Sequence, residues 1–298
     1  MDISKAQDNE LLKEIARRFD EKTSSIEEME FLTKKLLDLN KKSKDAQEVK
    51  SQFLSLVKNE FNNPMSSLLN ISNMLSKTDN IKKINTLGTL LNTELLTLDF
   101  SLKNIFAASE IEAGEIGNEY SKLSIHEIFD EVKAYFAELI NENNLTVILE
   151  YNCDKEIISD SQKIYLILLN LVSNACEYSY PNGEVTVTII CEQNNFKIVV
   201  EDRGEGIKEK HCKDIYNRFI HFETGNTRET AGLGLGLSVA KGMSEALNGI
   251  IDNTQDGDVT KFIVTIPYVD DNELELSTAF GSNEFMFENN DSNEMVEF

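Results

Sequence analysis

Apolar positions step by threes and fours through the first third of the chain, then turn to short β-rich runs separated by polar turns. Leu12, Ile15, Phe19, Ile26, Met29, Leu32, Leu36 and Leu39 trace one helix face between residue 4 and about 52, a stretch without proline or glycine. Two steps of three in succession, Ile26 to Met29 to Leu32, break the heptad and make the seam imperfect. The pattern fits a coiled coil or a single amphipathic helix packed on its own chain. It runs into residue 53 with no cap or breaker, which favours the coil. Phe53, Val57, Phe61, Met65, Leu68 and Leu69 continue the apolar face, with Pro64 in its midst. Proline removes one backbone donor and clashes with the preceding turn, so a kink is predicted just upstream.

Thr78-Asp79-Asn80 interrupts the pattern and supplies a cap. Ile81, Ile84, Leu87, Leu91, Leu95, Leu98, Leu102 and Ile105 then mark a second long helix ending near Ala113-Gly114, where glycine is the expected stop. Two helices joined by a short turn predict an antiparallel hairpin. Its wide apolar face needs a partner, and a second copy completing a four-helix bundle is the simplest. From about residue 122 the order changes. A helix is predicted over 125–143, a strand over 145–151, a helix over 160–178, and a hairpin of 184–191 and 196–201 around Glu192–Asn195. A helix over about 235–247 and a strand over 261–266 follow, and the alternation implies an α/β sandwich. Residues 270–298 hold nine acidic side chains and no Lys or Arg, the composition of a disordered tail.

Composition narrows this further. A net charge of -23 argues against nucleic-acid or anionic-membrane binding. No run of 18 apolar residues occurs, and Met-Asp-Ile-Ser-Lys opens without an apolar signal core, so a cytoplasmic protein with no membrane insertion is expected. Cys153, Cys176, Cys191 and Cys212 are scattered without a CxxC pair. They read as small buried hydrophobes in a reducing compartment, with no zinc site and no disulfide.

Three motifs in the second half carry chemistry. Asn170 and Asn174 stand four apart on one helix, and amide oxygens can ligate Mg²⁺ beside phosphates. Asp202 ends a strand and is followed by Gly204 and Gly206; its carboxylate can accept from a base's exocyclic amine while the backbone turns tightly. Gly232, Gly234 and Gly236 precede a helix, where backbone N–H groups and the helix N-terminus favour a polyphosphate. Each alone is common.

Together, in this order, NLVSNA, DRGEGI, IYNRF (215–219) and GLGLGLS resemble the ATP-binding domain of sensor histidine kinases, within the superfamily of gyrase, Hsp90 and MutL ATPases. The resemblance covers about 50 to 269. It implies an α+β two-domain protein: a coiled-coil signalling helix (1–52), a dimerisation hairpin (53–118) forming a dimeric four-helix bundle, an α/β sandwich ATP-binding domain (119–269) and the acidic tail (270–298). It also implies the cofactors ATP and Mg²⁺. Asn174 would ligate the metal, Asn170 would line the same pocket, and Asp202 would read the adenine amine. Gly204 and Gly206 would shape the base site, and Gly232, Gly234 and Gly236 would support a phosphate lid (about 223–231) from which Arg228 reaches toward the γ-phosphate. Implied partners are a second copy, and a response regulator or partner histidine kinase.

Two departures matter. The stretch 53–65 resembles the box F-x-x-x-x-S-H-E-L-R-T-P-L, but Asn59 holds the histidine position and Asn62 the arginine position. A primary amide is a poor nucleophile, because its nitrogen lone pair is delocalised, so residue 59 should not accept a phosphoryl group. His126, His211 and His221 are the chain's three histidines, and all lie outside the hairpin helices. Glu60 remains, and Asn63 has the chemistry to orient a water for dephosphorylating a response regulator. Second, Glu177 stands where the family often has a cation near phosphate, and its repulsion weakens binding unless Mg²⁺ or distance offsets it. Three readings stay open: a conformational regulator unable to autophosphorylate; an active enzyme, as a phosphatase through Asn63 or a kinase acting on a histidine elsewhere; and a structural dimer with a dead nucleotide pocket.

Overall fold

Asn80 sits in extended backbone and its side chain accepts from the amides of Lys82 and Lys83, which starts the long helix α2 (Ile81–Ala113). Gly114 ends it with a φ of 68°, a left-handed conformation that a side chain would oppose. The computed structural model describes residues 33–37, 40, 41, 44, 58, 61–114, 116–207, 214–217 and 234–269. Residues 61–75 form helix α1, which returns along α2: Ser67 donates to Glu94 across the pair at 2.7 Å, and Ile71 and Leu87 are buried. The predicted hairpin is therefore present from residue 61. Most of the expected coil lies outside the described residues, as do Asn59 and Glu60 beside the expected proline kink, and the acidic tail.

Beyond the hairpin come β1 (Tyr120–Lys122), α3 (Ile125–Tyr135), α4 (Ala137–Glu142), β2 (Thr146–Asn152), β3 (Ile158–Asp160), α5 (Ser161–Tyr178), β4 (Glu184–Cys191), β5 (Asn195–Arg203), α6 (Gly236–Ala246), β6 (Ile250–Asp256) and β7 (Val259–Pro267). The single helix expected over 125–143 is two, because Phe136 leaves helical geometry between them, with a φ of -98° and a ψ of 17°. The main sheet runs β2-β4-β5-β7-β6, parallel between β2 and β4 and antiparallel elsewhere; β1 and β3 make a small antiparallel pair.

The strands obey the period of two. Val185, Val187 and Ile189 on β4, Phe196, Ile198 and Val200 on β5, and Phe262, Val264 and Ile266 on β7 are buried on one face. Helix α5 fills that face almost all round: Ile164, Ile167, Leu168, Leu169 and Leu171 have no accessible surface. Fully burying one such side chain stabilises by about 1.5–3 kcal/mol, so this helix and sheet hold the domain together.

The cysteine expectation is corrected. Cys153 and Cys191 form a disulfide with a Cα–Cα distance of 5.0 Å. The parallel register that ends with Asn152 opposite Ile190 carries the next residues on each strand into apposition. Spacing along the chain holds no trace of that register. Cys176 is buried and free, as expected of a small hydrophobe, and Cys212 lies outside the described residues.

Candidate functional site

The inward-facing series on β5 ends on a carboxylate. After Phe196, Ile198 and Val200 the alternation places Asp202 on the helix side, 2% exposed, at the rim of the core. One of its oxygens, Oδ1, is buried and finds no hydrogen-bond partner among the described residues. Burial, reinforced by Glu201, pushes this carboxyl up to about 7. A buried acceptor without a donor is costly, so the site has a standing affinity for an N–H group.

Asn170 faces the same region from α5. Its Nδ2 donates to Leu166 O at 2.9 Å, which fixes the amide's orientation, and its Oδ1 is buried without a partner among the described residues. A Cβ on Gly236 would stand 2.8 Å from that Oδ1, so the first residue of α6 must be small for the two helices to meet here. Asn174, one turn further along α5, is half-buried.

The C-terminal end of α5 is stitched to the first glycine motif. Ser179 bridges Gly204, Tyr180 N donates to Arg203 O at 2.8 Å, and any Cβ on Gly204 would collide with the Tyr178 carbonyl. Gly206 adopts a φ of 71°, with Gln255 of β6 packed where its Cβ would be, and Ile207 N donates to Gln255 Oε1 at 2.7 Å. Gln255 was not foreseen from the sequence, because its role depends on β6 arriving beside the loop. From the aromatic motif, Ile215 is buried and Tyr216 donates to Asn253 at 3.2 Å.

Asn170, Asp202, Gly204, Gly206 and Gly236 thus gather at the end of β5 and the C-terminal half of α5, with Asn174 one turn along α5 from Asn170 and Gly234 two residues ahead of Gly236; Gly232 and Arg228 lie outside the described residues. Glu177 accepts from Ser173 at 3.2 Å. It keeps exposed surface, yet protein packs closely around its carboxyl, and this burial pushes it up to about 7 while the Ser173 bond lowers it.

The residues fit an adenine nucleotide with a divalent cation. Orphaned acceptors at Asp202 and Asn170 suit an amine and a metal-bound water, and Gly204, Gly206 and Gly236 let backbone pack where a side chain would collide. Among the described residues no group of three or more His, Cys, Asp and Glu is disposed to hold a metal. A cation here would rest on amide oxygen and the nucleotide's phosphates. Asn63 is exposed on α1 and separate from this pocket in sequence and element; Glu60 and Asn59 lie outside the described residues. No helix among the described residues is long and apolar enough to cross a membrane.

Residues 159–270 match the family of histidine kinase-, DNA gyrase B- and HSP90-like ATPases. An uncharacterized sensor-like histidine kinase of Rhizobium meliloti is 27% identical over 234 residues, covering 76% of this chain and 44% of that protein. The autoinducer 2 sensor kinase/phosphatase LuxQ of Vibrio parahaemolyticus is 27% identical over 232 residues, covering 75% of this chain and 27% of its own. Sensor protein SrrB of Staphylococcus aureus is 26% identical over 229 residues, covering 74% and 38%. The chain therefore spans less than half the length of these relatives. In fold it resembles the Acinetobacter baumannii histidine kinase AdeS, with a TM-score of 0.52 and 19% identity over 71% of this chain and 98% of the other. Full-length ShkA, solved with AMPPNP, gives a TM-score of 0.53 and 19% identity over 72% of this chain and 46% of its own.

Proposed function

Taking the chain as a histidine kinase family member with an ATPase domain of the gyrase and HSP90 type, we propose that it binds Mg-ATP without phosphorylating itself and regulates a partner histidine kinase or response regulator through its conformation. The observation that carries this reading is the contrast between an equipped pocket and an absent acceptor. Asn170 and Asp202 keep buried oxygens without a partner among the described residues at the glycine motifs, while Asn59 stands where the box it resembles would have its histidine. Asn174 would hold Mg²⁺, which when bound neutralises phosphate charge; Asp202 would accept the adenine amine, and Gly232, Gly234, Gly236 and Arg228 would attend the phosphates.

The chain works as a homodimer in this reading. Met65, Leu69, Met74, Ile84, Leu90 and Leu95 leave apolar surface on the hairpin that a second copy would cover. The test is incubation with γ-labelled ATP, alone and with a receiver domain, beside calorimetric titration of Mg-ATP. Binding that is lost in Asn174→Ala, with no label on the chain, is the expected result. Label on the chain would overturn the reading, and absent binding would leave a structural dimer.

One observation favours a second reading. Asn63 is exposed on α1, and its amide can orient a water without being consumed. LuxQ is named a kinase/phosphatase. Faster release of phosphate from a phosphorylated receiver domain, abolished by Asn63→Ala, would support that activity here.

A further inference from the structure

We propose that Cys153 and Cys191 form a thiol–disulfide site that closes by exchange with a small-molecule disulfide and opens under a thiol reductant. Four observations carry it. The register of β2 and β4 places the two residues opposite each other at the same ends of neighbouring parallel strands, with Cα atoms 5.0 Å apart. That spacing lies within the range a disulfide spans without backbone movement. Both are half-buried, so solvent and small thiols reach the pair. With the bridge closed the Cys153 Sγ lies 3.5 Å from Lys155 O, so a thiol formed on opening would have an acceptor within reach.

The other described cysteine behaves differently. Cys176 is buried on α5 with no accessible surface, so small thiols and disulfides do not reach it. Oxidation is thereby directed to the half-buried pair.

The exchange balances as follows. One thiol loses its proton, and the thiolate attacks a sulfur of oxidised glutathione, forming a mixed disulfide and releasing one glutathione thiolate. The second cysteine, deprotonated in turn, attacks the protein sulfur of that mixed disulfide. The internal S–S bond forms, and a second glutathione thiolate leaves. Two protein thiols are oxidised, one glutathione disulfide is reduced to two thiols, and the two protons released are taken up by those thiolates.

Closing the bridge fastens the loop after β2 to the β4–β5 turn. Weaker ties already hold that end: the Glu192–Lys197 ion pair, Lys155 over the Tyr268 ring at 5.7 Å, and Tyr268 N donating to Asn194 O at 3.1 Å. The open form therefore keeps the fold and loses stability. Asp202 lies seven residues along β5 from Asn195, at the other end of the sheet, roughly 24 Å away at the usual strand rise. The bridge is accordingly a stabilising device that leaves the pocket unaltered.

The test reduces the full chain with dithiothreitol, removes it, adds oxidised glutathione, alkylates under denaturing conditions and maps the peptides by mass. The expected result is one intramolecular bridge joining Cys153 and Cys191, with Cys176 alkylated, and a Tm higher than that of the reduced chain by on the order of 5–10 °C. Cys153→Ser should trap a glutathione adduct on Cys191 and remove the oxidant-dependent Tm shift, and Cys191→Ser should do the converse. Unresolved glutathione on both cysteines, a bridge to Cys212 or between chains, an unchanged Tm, or a shift that persists in both serine variants would each overturn the proposal.

Discussion

The α/β domain and the hairpin are built from the same kinds of apolar side chain and use them in opposite ways. On α5 and the facing strands, Ile164, Leu168, Phe196, Ile198 and Val264 have no accessible surface. On the hairpin, Leu69 is 62% exposed and Ile81 73%. One region has satisfied its apolar groups within the chain; the other holds them out. The polar groups divide less cleanly. The domain's rim keeps buried acceptors at Asn170 and Asp202 without a partner among the described residues, and α2 keeps one at Asn104, while Ser67 and Glu94 bond each other across the hairpin. The proposed nucleotide would engage the domain's rim acceptors, and the proposed second copy would cover the hairpin's exposed apolar groups.

The largest expected effect is in the core. Phe196→Ala should lower the unfolding free energy by about 3–5 kcal/mol, measured by urea denaturation followed through the α/β domain's signal. A loss under about 1 kcal/mol would mean that the domain's core does not sit where the burial pattern puts it.

The junction between the two regions comes next. Asp160 caps α5 through Lys163 N at 3.0 Å, accepts from Glu119 N at 2.9 Å, and pairs with the buried Lys163 ammonium, which also donates to Gly117 O at 2.7 Å. The segment leaving α2 is thus clamped to the start of α5. Asp160→Ala removes a cap and strands a buried cation, which should cost about 3 kcal/mol or more. Thermal unfolding checks this. A cost near that of an exposed residue would show the clamp to be incidental.

The domain was legible in the sequence where period and punctuation agreed. The strand expected over 184–191 is β4, the helix over 160–178 is α5 with Asp160 as its cap, and the second hairpin helix ends on Gly114 as expected. The short strands β1 and β3 were missed, because three residues carry no period. β6 was not placed by the residue pattern: Ile250 to Asp256 mixes polar and apolar residues on an edge strand whose outer positions face water. The site was legible as a set of motifs. Its arrangement was not, because Asp202 turns inward by strand alternation and Gly236 meets Asn170 only through the packing of α5 on α6. The disulfide depended on register, which local sequence cannot encode.

Asp202 also predicts a pH dependence. Its folded pKa of about 7 lies above the usual carboxylate value, so the folded state binds the proton more tightly than the unfolded chain. Between about pH 4 and 7 folding takes up that proton, and stability falls as pH rises. From pH 5 to 7 the loss attributable to this one group is about 2 kcal/mol. Asp202→Asn should flatten that part of the profile of unfolding free energy against pH. A profile of unchanged slope would mean that the buried carboxyl is better solvated than its surroundings indicate.

The smallest expected effect lies on the hairpin, and it tests the comparison most directly. Leu69→Ser removes an apolar side chain that already faces water, so the α/β domain's unfolding free energy should move by no more than about 0.5 kcal/mol. The same substitution places a hydroxyl in the surface a second copy would cover, so sedimentation should show the wild type as a dimer and Leu69→Ser shifted toward monomer at equal concentration. The two readouts are chosen to separate. A domain that unfolds unchanged while the assembly weakens means that the exposed leucine serves a contact outside its own chain. A dimer indifferent to Leu69 would put the seam elsewhere on the hairpin, and a wild type that is monomeric throughout would remove the reason for its apolar surface.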